Sequence, residues 1–227
     1  RAEAILRRGL SVLPKGASLH ATLSETFEAQ GHHRLAQRAL MHASTLEPNQ
    51  PEYADNLARL EFISGHYSRA VRRWEALVDT GVPMDKTLKN LSAAYRALGA
   101  HEKSVHLLER LRKRNPKDME IHSVLGELYM KLRRHSDAVR ILTAALKQKP
   151  ANTQIRSLLA TALADSGDPI AANKHFRTAI ADNPTDRPLR LTYAHFLEQK
   201  GERTSAKALY RKQLARNPSD LEAMAGL

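Results

Sequence analysis

The sequence contains no cysteine among its 227 residues, so it forms no disulfide and offers no thiolate ligand to a metal. Aromatic residues make up only 5% of the chain, and alanine and leucine supply most of its apolar content. This composition favours helices over β-sandwiches, which depend on β-branched and aromatic side chains. No apolar run approaches the roughly 20 residues of a membrane-spanning helix, so we expect no direct insertion into a membrane.

Positive charge is in excess, with a formal net charge of +12. Residues 101–150 alone carry a net +6, which is half of the excess in about a fifth of the chain. A basic surface of this kind favours an acidic partner. The chain does not interleave aromatic residues with basic ones, as proteins that stack nucleic-acid bases do, so we do not expect nucleic acid to be the partner.

A 34-residue spacing runs through the whole chain. Five of the ten glycines lie on one grid of this spacing, with Arg133 at the skipped point: Gly31, Gly65, Gly99, Gly167 and Gly201. Prolines form a second grid, with Pro83 one residue late: Pro14, Pro48, Pro116, Pro150, Pro184 and Pro218. Self-similarity at this period is the signature of a repeat protein.

Each repeat is predicted to be a helix, a tight turn, a second helix and a loop. The glycine provides the left-handed conformation that ends the first helix, and the proline ends the second. The first helices are predicted at 17–30, 51–64, 85–98, 119–132, 153–166 and 187–200. The second helices are predicted at 34–47, 68–81, 102–115, 136–149, 170–183 and 204–217. Helix N-caps are expected at Asp118, Asn152, Asp168, Asp186 and Asp220, and also at Ser68 and Ser136.

One stretch carries a family resemblance: Leu125-Gly126-Glu127-Leu128-Tyr129, followed by Ala138 and Pro150. A small residue at position 8, glycine at 15, alanine at 20 and proline at 32 of each repeat resemble the tetratricopeptide (TPR) motif. The resemblance implies an all-α fold, a right-handed α-solenoid of tandem antiparallel helix pairs known as the TPR superhelix.

The resemblance covers a single array over residues 1–227. It comprises a half repeat at 1–16, the start of another at 221–227, and six full repeats at 17–50, 51–84, 85–118, 119–152, 153–186 and 187–220. Because both ends match only part of a unit, we expect a fragment of a longer array. Departures from the motif at Glu61, Arg133, Gln213 and Pro83 lead us to expect local distortion in the second repeat.

In proteins of the TPR family, the first helices line a concave groove that binds a protein or peptide. The positions that face this groove correspond here to Asp55, Asn56, Arg59, Phe62, Lys86, Lys89, Asn90, Arg96, Glu127 and Met130. Phe62 and Met130 are candidate apolar anchors. The alternative for Phe62 is a core position, displaced because Glu61 occupies the usual aromatic site.

Two binding modes of this family can be compared with these residues. The carboxylate clamp, which holds an acidic chain terminus, requires lysines, asparagines and an arginine that no three consecutive repeats supply. The asparagine ladder, which bonds the backbone of an extended peptide, is matched at Asn56 and Asn90 only. The alternative is that these two are ordinary polar surface residues.

A second candidate surface is a basic docking patch for an acidic partner, with the alternative that its side chains are solvated helix ends. It comprises Arg110, Arg112, Lys113, Arg114, Arg133 and Arg134.

Catalytic signatures are absent. The chain has no P-loop, no dinucleotide-binding motif, no GxSxG elbow and no HExxH motif. Its 11 histidines lie in different repeats or lack the i, i+4 pairing of a metal site. We expect no enzyme activity, no cofactor and no metal.

The sequence therefore predicts a non-catalytic interaction scaffold that binds a peptide or protein in its groove. One alternative is a periplasmic scaffold of a bacterial envelope machine for exopolysaccharide export or pilus assembly. Another is the recognition arm of a larger enzyme such as a glycosyltransferase. The compartment is left open between bacterial periplasm and cytoplasm, because a cysteine-free chain fits both.

Overall fold

Helices joined by short turns make up the protein in the computed structural model, which describes residues 2–81 and 84–227. Within those residues there are fourteen helices and no strand. In chain order the helices are α1 (Ala2–Val12), α2 (Ala17–Ala29), α3 (His33–Leu46), α4 (Pro51–Ile63), α5 (Tyr67–Asp79), α6 (Asp85–Ala97), α7 (His101–Arg114), α8 (Met119–Lys131), α9 (His135–Gln148), α10 (Thr153–Asp165), α11 (Pro169–Asp182), α12 (Arg187–Gln199), α13 (Arg203–Leu214) and α14 (Leu221–Ala225).

The helix bounds agree closely with the predicted helix positions. From α2 to α13, each helix begins and ends within three residues of its predicted position. Each first helix is joined to its second helix by a three-residue turn, so the two pack as an antiparallel pair. The all-α class of tandem antiparallel helix pairs is confirmed.

The chain divides into two compact units, Arg1–Lys113 and Arg114–Leu227. Unit 1 contains α1 to α6 and nearly all of α7, and unit 2 contains α8 to α14. Within each unit, helices pack on their neighbours in the chain through alanine, leucine and aromatic side chains. That residues 1–227 form one continuous array stays a prediction.

Small residues at positions 8 and 20 let paired helices approach closely. A Cβ atom added at Gly126 on α8 would lie 2.7–2.9 Å from the side chain of Leu142 on α9, closer than packed atoms tolerate. On α6 and α7, the residues at positions 8 and 20 are Ser92 and Ser104, whose hydroxyl oxygens are hydrogen-bonded at 2.8 Å. The 34-residue grid of small residues is therefore a grid of helix contacts.

The turns between paired helices use left-handed backbone, as the glycine grid predicts. The five grid glycines have φ between 72° and 89°. Arg133, at the skipped point, adopts the same conformation with φ of 60°. The turn geometry is thus kept in the fourth repeat at the cost of a conformation that a side chain disfavours.

Helix N-caps agree with the sequence at five positions. The side chains of Asp118, Asn152, Asp168, Asp186 and Asp220 each accept a hydrogen bond from a backbone N–H in the first turn that follows. The predictions for Ser68 and Ser136 are wrong. Both serines lie inside the first turn, because α5 and α9 begin one residue before them.

The departures in the second repeat are accommodated without loss of its helices. Glu61 is buried, with 2% of its surface exposed, and its Oε2 accepts a hydrogen bond from Nε of Arg73 at 2.9 Å. This ion pair occupies positions that are mostly apolar elsewhere, and α4 and α5 are both 13-residue helices. The departure at Pro83 lies outside the described residues.

A polar network closes the last hairpin of unit 2. Gln213, a departure from a small residue, donates to Asp220 Oδ2 at 2.7 Å and accepts from the buried Arg190. Arg187 binds the same carboxylate through two nitrogens at 2.6 and 2.8 Å. The hydrogen bonds from Arg187 hold the pKa of Asp220 well below its usual value.

Candidate functional site

The first helices of unit 1 present a polar face, which we call the first-helix face and define by the groove residues of α4 and α6 with Glu28 of α2. Arg59 on α4 makes a bidentate ion pair with Glu28, and its Nη2 lies 2.6 Å from Glu28 Oε2. The hydrogen bonds from Arg59 lower the pKa of Glu28 and hold it ionised. This ion pair joins α2 to α4. Because Glu28 neutralises the charge of Arg59, the pair has little attraction for a charged partner.

Asp55, a predicted groove residue, is buried rather than displayed. Its side chain is 2% exposed, and Oδ1 accepts hydrogen bonds from Trp74 Nε1 at 2.8 Å and Thr87 Oγ1 at 3.0 Å. Lys86 Nζ lies 3.8 Å from Asp55 Oδ2. Asp55 therefore joins α4 to α5 and α6, and a partner could bond it only by breaking contacts of the core.

The charge of the first-helix face is more balanced than the sequence indicates. Lys86 remains largely exposed beside Asp55, with 62% of its side chain accessible. Lys89 is half-buried and Arg96 is exposed on the same helix, and both have interactions within the chain. Apart from Arg59 on α4, the positive side chains lie on α6, and the acidic ones, Glu28 and Asp55, lie on α2 and α4.

The two asparagines of the predicted ladder occupy equivalent positions on α4 and α6. Asn56 and Asn90 are both half-buried. The Nδ2 atom of Asn90 is shielded from solvent and has no hydrogen-bond partner among the described residues. A buried donor without an acceptor costs roughly 1–3 kcal/mol. An acceptor from a bound molecule would remove that cost if the amide turned Nδ2 toward the surface.

Phe62 belongs to the core of its hairpin. Its ring lies 5.2 Å from the ring of Tyr67 and 6.1 Å from that of Trp74, measured between centroids. This contact favours the core alternative over an exposed anchor. The other predicted groove residues, Glu127 and Met130, are half-buried on α8 and belong to unit 2.

The predicted basic patch divides between the two units. In unit 1, Arg110 and Lys113 are exposed, whereas Arg112 is bound to Glu109 through two nitrogens at 2.9 and 2.7 Å. The Arg112 charge is therefore compensated on its own helix.

In unit 2, Arg133 and Arg134 lie in the turn between α8 and α9, and Arg114 is the last residue of α7. Arg134 lies over the Tyr129 ring at 4.7 Å from its centroid and donates to Asp137 Oδ2 at 2.9 Å. Arg133 supplies the left-handed turn residue and is exposed, as is Arg114. Half of the predicted patch thus has a structural role at a helix end or turn.

Among the described residues, no three histidine, aspartate or glutamate side chains are grouped so that they could hold a metal ion. None of the helices described is both long and apolar enough to cross a lipid bilayer.

The repeat architecture has a direct counterpart among known families. The family model for the tetratricopeptide repeat matches residues 95–162 and 163–227, more than half of the chain. The chain belongs to the tetratricopeptide repeat family. TPR domains are protein-interaction scaffolds, and the remaining hairpins at α2–α3 and α4–α5 follow the same 34-residue register.

Solved structures of other TPR proteins share the fold. A TPR protein from Parabacteroides merdae superposes with a TM-score of 0.80 at 21% identity, over 88% of this chain and 79% of that one. The C-terminal part of a TPR protein from Cytophaga hutchinsonii gives 0.79 at 15% identity, over 99% and 93%. YrrB, described as a TPR protein with an unusual peptide-binding site, gives 0.71 at 16% identity, over 88% and 100%. No curated protein matches the sequence significantly.

Proposed function

We propose that this chain is a non-catalytic scaffold that holds an extended peptide, or an extended segment of a protein, on the first-helix face of unit 1. The observation that carries the proposal is the unpartnered Nδ2 of Asn90, one repeat after the equivalent Asn56. An extended peptide presents carbonyl oxygens along its backbone. Side-chain amides on successive repeats can donate hydrogen bonds to these oxygens whatever the side chains of the peptide are.

The surroundings of the asparagines support this role. The ion pair of Arg59 with Glu28 and the hydrogen bonds of Asp55 hold the helices below the ligand in fixed positions. A rigid surface loses little conformational entropy when it binds. Lys86, exposed beside these groups, favours a peptide that carries acidic side chains. The similarity to YrrB supports a peptide as the ligand class.

The test begins with a peptide selected from a random library displayed on phage, using the whole chain as bait. Its dissociation constant is then measured by calorimetry for the native chain and for Asn56→Ala with Asn90→Ala. Loss of two hydrogen bonds, each of about 0.5–1.5 kcal/mol, predicts binding that is weaker by about fivefold to 150-fold. The control is Gln148→Ala, which removes an exposed amide from the second helix α9.

Binding that depends on the two asparagines but not on Gln148 supports the proposal. Selected peptides that bind the double variant as tightly as the native chain would contradict it.

A further inference from the structure

Unit 1 contains a second charged feature, on the opposite set of helices. An open cavity of about 420 Å³ lies between the second helices α3 and α5, with Glu61 of α4 at its base. Gln37 and Met41 line it from α3, and Arg69, Arg72 and Arg73 line it from α5. We call it the α3–α5 pocket. No residue of this pocket belongs to the first-helix face.

The arginines of the α3–α5 pocket are only partly compensated. Arg73 donates to Glu61 through Nε, and its two Nη nitrogens have no partner within residues 2–81 and 84–227. Arg69 and Arg72 are exposed, and in that same part of the chain neither side chain makes a hydrogen bond or an ion pair. Three guanidinium groups thus surround one carboxylate, a formal net charge of +2 in the pocket.

The pocket arises from a paired exchange in the second repeat. Position 11 is a large apolar residue in the other five repeats: Phe27, Tyr95, Tyr129, Leu163 and Leu197. Position 23 is apolar in four of them: Ala39, Leu107, Ile141 and Leu209. The second repeat instead has Glu61 and Arg73, which bind each other. A buried ion pair gives little or no net stability relative to an apolar pair, so stability alone does not explain the exchange.

We propose that the α3–α5 pocket binds an acidic side chain of a partner peptide, with an apolar residue of the same peptide against Met41. A carboxylate accepts two parallel hydrogen bonds from a guanidinium, which the free Nη groups of Arg73 and the two unpaired arginines can supply. Met41 is 49% exposed and gives the pocket an apolar wall. None of the pocket residues named above is aromatic, so the pocket offers no platform for stacking a nucleic-acid base.

The test uses a fluorescein-labelled peptide of alternating glutamate and leucine, whose binding to the whole chain is measured by fluorescence anisotropy at low and moderate salt. A second labelled peptide, the glutamine peptide, has glutamine in place of every glutamate. We expect the glutamine peptide to bind more weakly than the acidic peptide, because it lacks the carboxylates that the arginines bind. Arg69→Gln with Arg72→Gln should weaken binding about tenfold or more, because it removes two charge-assisted contacts.

The matched control is Arg203→Gln with Arg211→Gln, which removes the same charge from exposed positions on α13 in unit 2. We expect less than about a twofold change there, since exposed distant charges are screened. Equal losses in the two double variants would overturn the proposal, because net charge alone would then explain the binding.

Two further measurements test whether the binding depends on the charge of the α3–α5 pocket and on a peptide ligand. Glu61→Gln should bind the acidic peptide a few-fold more tightly, because the pocket loses its opposing charge. Unchanged or weaker binding by a folded Glu61→Gln chain contradicts the assignment. The second measurement uses a short oligothymidylate. If it bound at least as tightly as the acidic peptide and depended equally on Arg69 and Arg72, the ligand of the pocket would be a nucleic acid and the proposal would be overturned.

Discussion

The second and fourth repeats have the same helices but different interiors. In the fourth repeat, positions 11 and 23 are Tyr129 and Ile141, both buried in an apolar hairpin. In the second repeat the same positions are Glu61 and Arg73, joined by an ion pair at 2.9 Å. The 34-residue spacing determines where each helix begins and ends. An exchange at positions 11 and 23 therefore changes the chemistry of the α3–α5 pocket without changing the fold.

The two repeats also differ at the turn and at the close helix contact. Position 15 is Gly65 in the second repeat and Arg133 in the fourth, with φ of 78° and 60°. Position 8 is Ala58 in the second and Gly126 in the fourth. The second repeat therefore departs from the motif at position 11 and the fourth at position 15, and paired substitutions can separate fold from function.

The largest expected effect is at position 24, where Trp74 and Leu142 fill the two interiors. Trp74→Ala should lower the free energy of unfolding by about 3–5 kcal/mol and Leu142→Ala by about 2–5 kcal/mol. Trp74→Phe keeps the ring but leaves Asp55 Oδ1 with one bond fewer, so we expect a loss of about 1–3 kcal/mol. Urea denaturation measures all three, and an unchanged midpoint for Trp74→Ala would contradict the assigned core.

The next effect tests the exchanged pair directly. Arg73→Ile leaves a buried carboxylate without its partner, and we expect a loss of about 2–4 kcal/mol, less than for a fully buried pair because Arg73 is 40% exposed. Glu61→Tyr combined with Arg73→Ile recreates the interior of the fourth repeat. The double variant should unfold within about 1 kcal/mol of the native chain. If the double variant lost as much free energy of unfolding as the two single variants together, the two residues would not be coupled.

A smaller effect is expected at the close helix contact. Gly126→Ala pushes a methyl group against Leu142, so we expect a loss of about 1–3 kcal/mol despite the better helix propensity of alanine. The matched Ala58→Gly should cost only about 1 kcal/mol, the propensity difference between these residues in a helix. A gain in melting temperature for Gly126→Ala would contradict the helix spacing.

The smallest effect is expected at the turns. Arg133→Gly should stabilise the chain by about 0.5–1 kcal/mol, because relief of the left-handed conformation exceeds the entropy that glycine adds. Gly65→Arg should destabilise it by about 1 kcal/mol for the same reason. Calorimetric melting temperatures that move in the same direction for both variants would contradict this explanation of the glycine grid.

The fold was predictable from the sequence because its signals are local and repeat. Glycine at a left-handed turn, proline after a helix and aspartate at an N-cap each act within a few residues, and the 34-residue spacing superimposes them. Ser68 and Ser136 misled the prediction because helix starts are set by the turn that precedes them. His66 and Arg134 occupy the N-cap positions, and neither side chain makes a capping hydrogen bond to the backbone of the helix that follows.

The candidate site was predictable only in part, because position in a repeat gives the face but not the partner of a side chain. Asp55 and Arg59 were correctly placed on first helices, yet their bonds to Trp74 and Glu28 link positions 19 and 31 residues apart. The α3–α5 pocket was missed, although Arg73 carries the signal. It is a charge at a position that is apolar in most other repeats, in the same repeat as the buried Glu61.

The most direct test of peptide binding is a two-dimensional ¹⁵N–¹H spectrum of the side-chain amides, recorded while the phage-selected peptide is added to the whole chain. The structure predicts that the Asn56 and Asn90 amide signals move and saturate with the peptide, while the Gln148 signal stays in place. The largest changes at saturation should be those of the Asn90 NH₂ protons, which gain an acceptor. A bound peptide that leaves both asparagine signals unmoved would contradict the account.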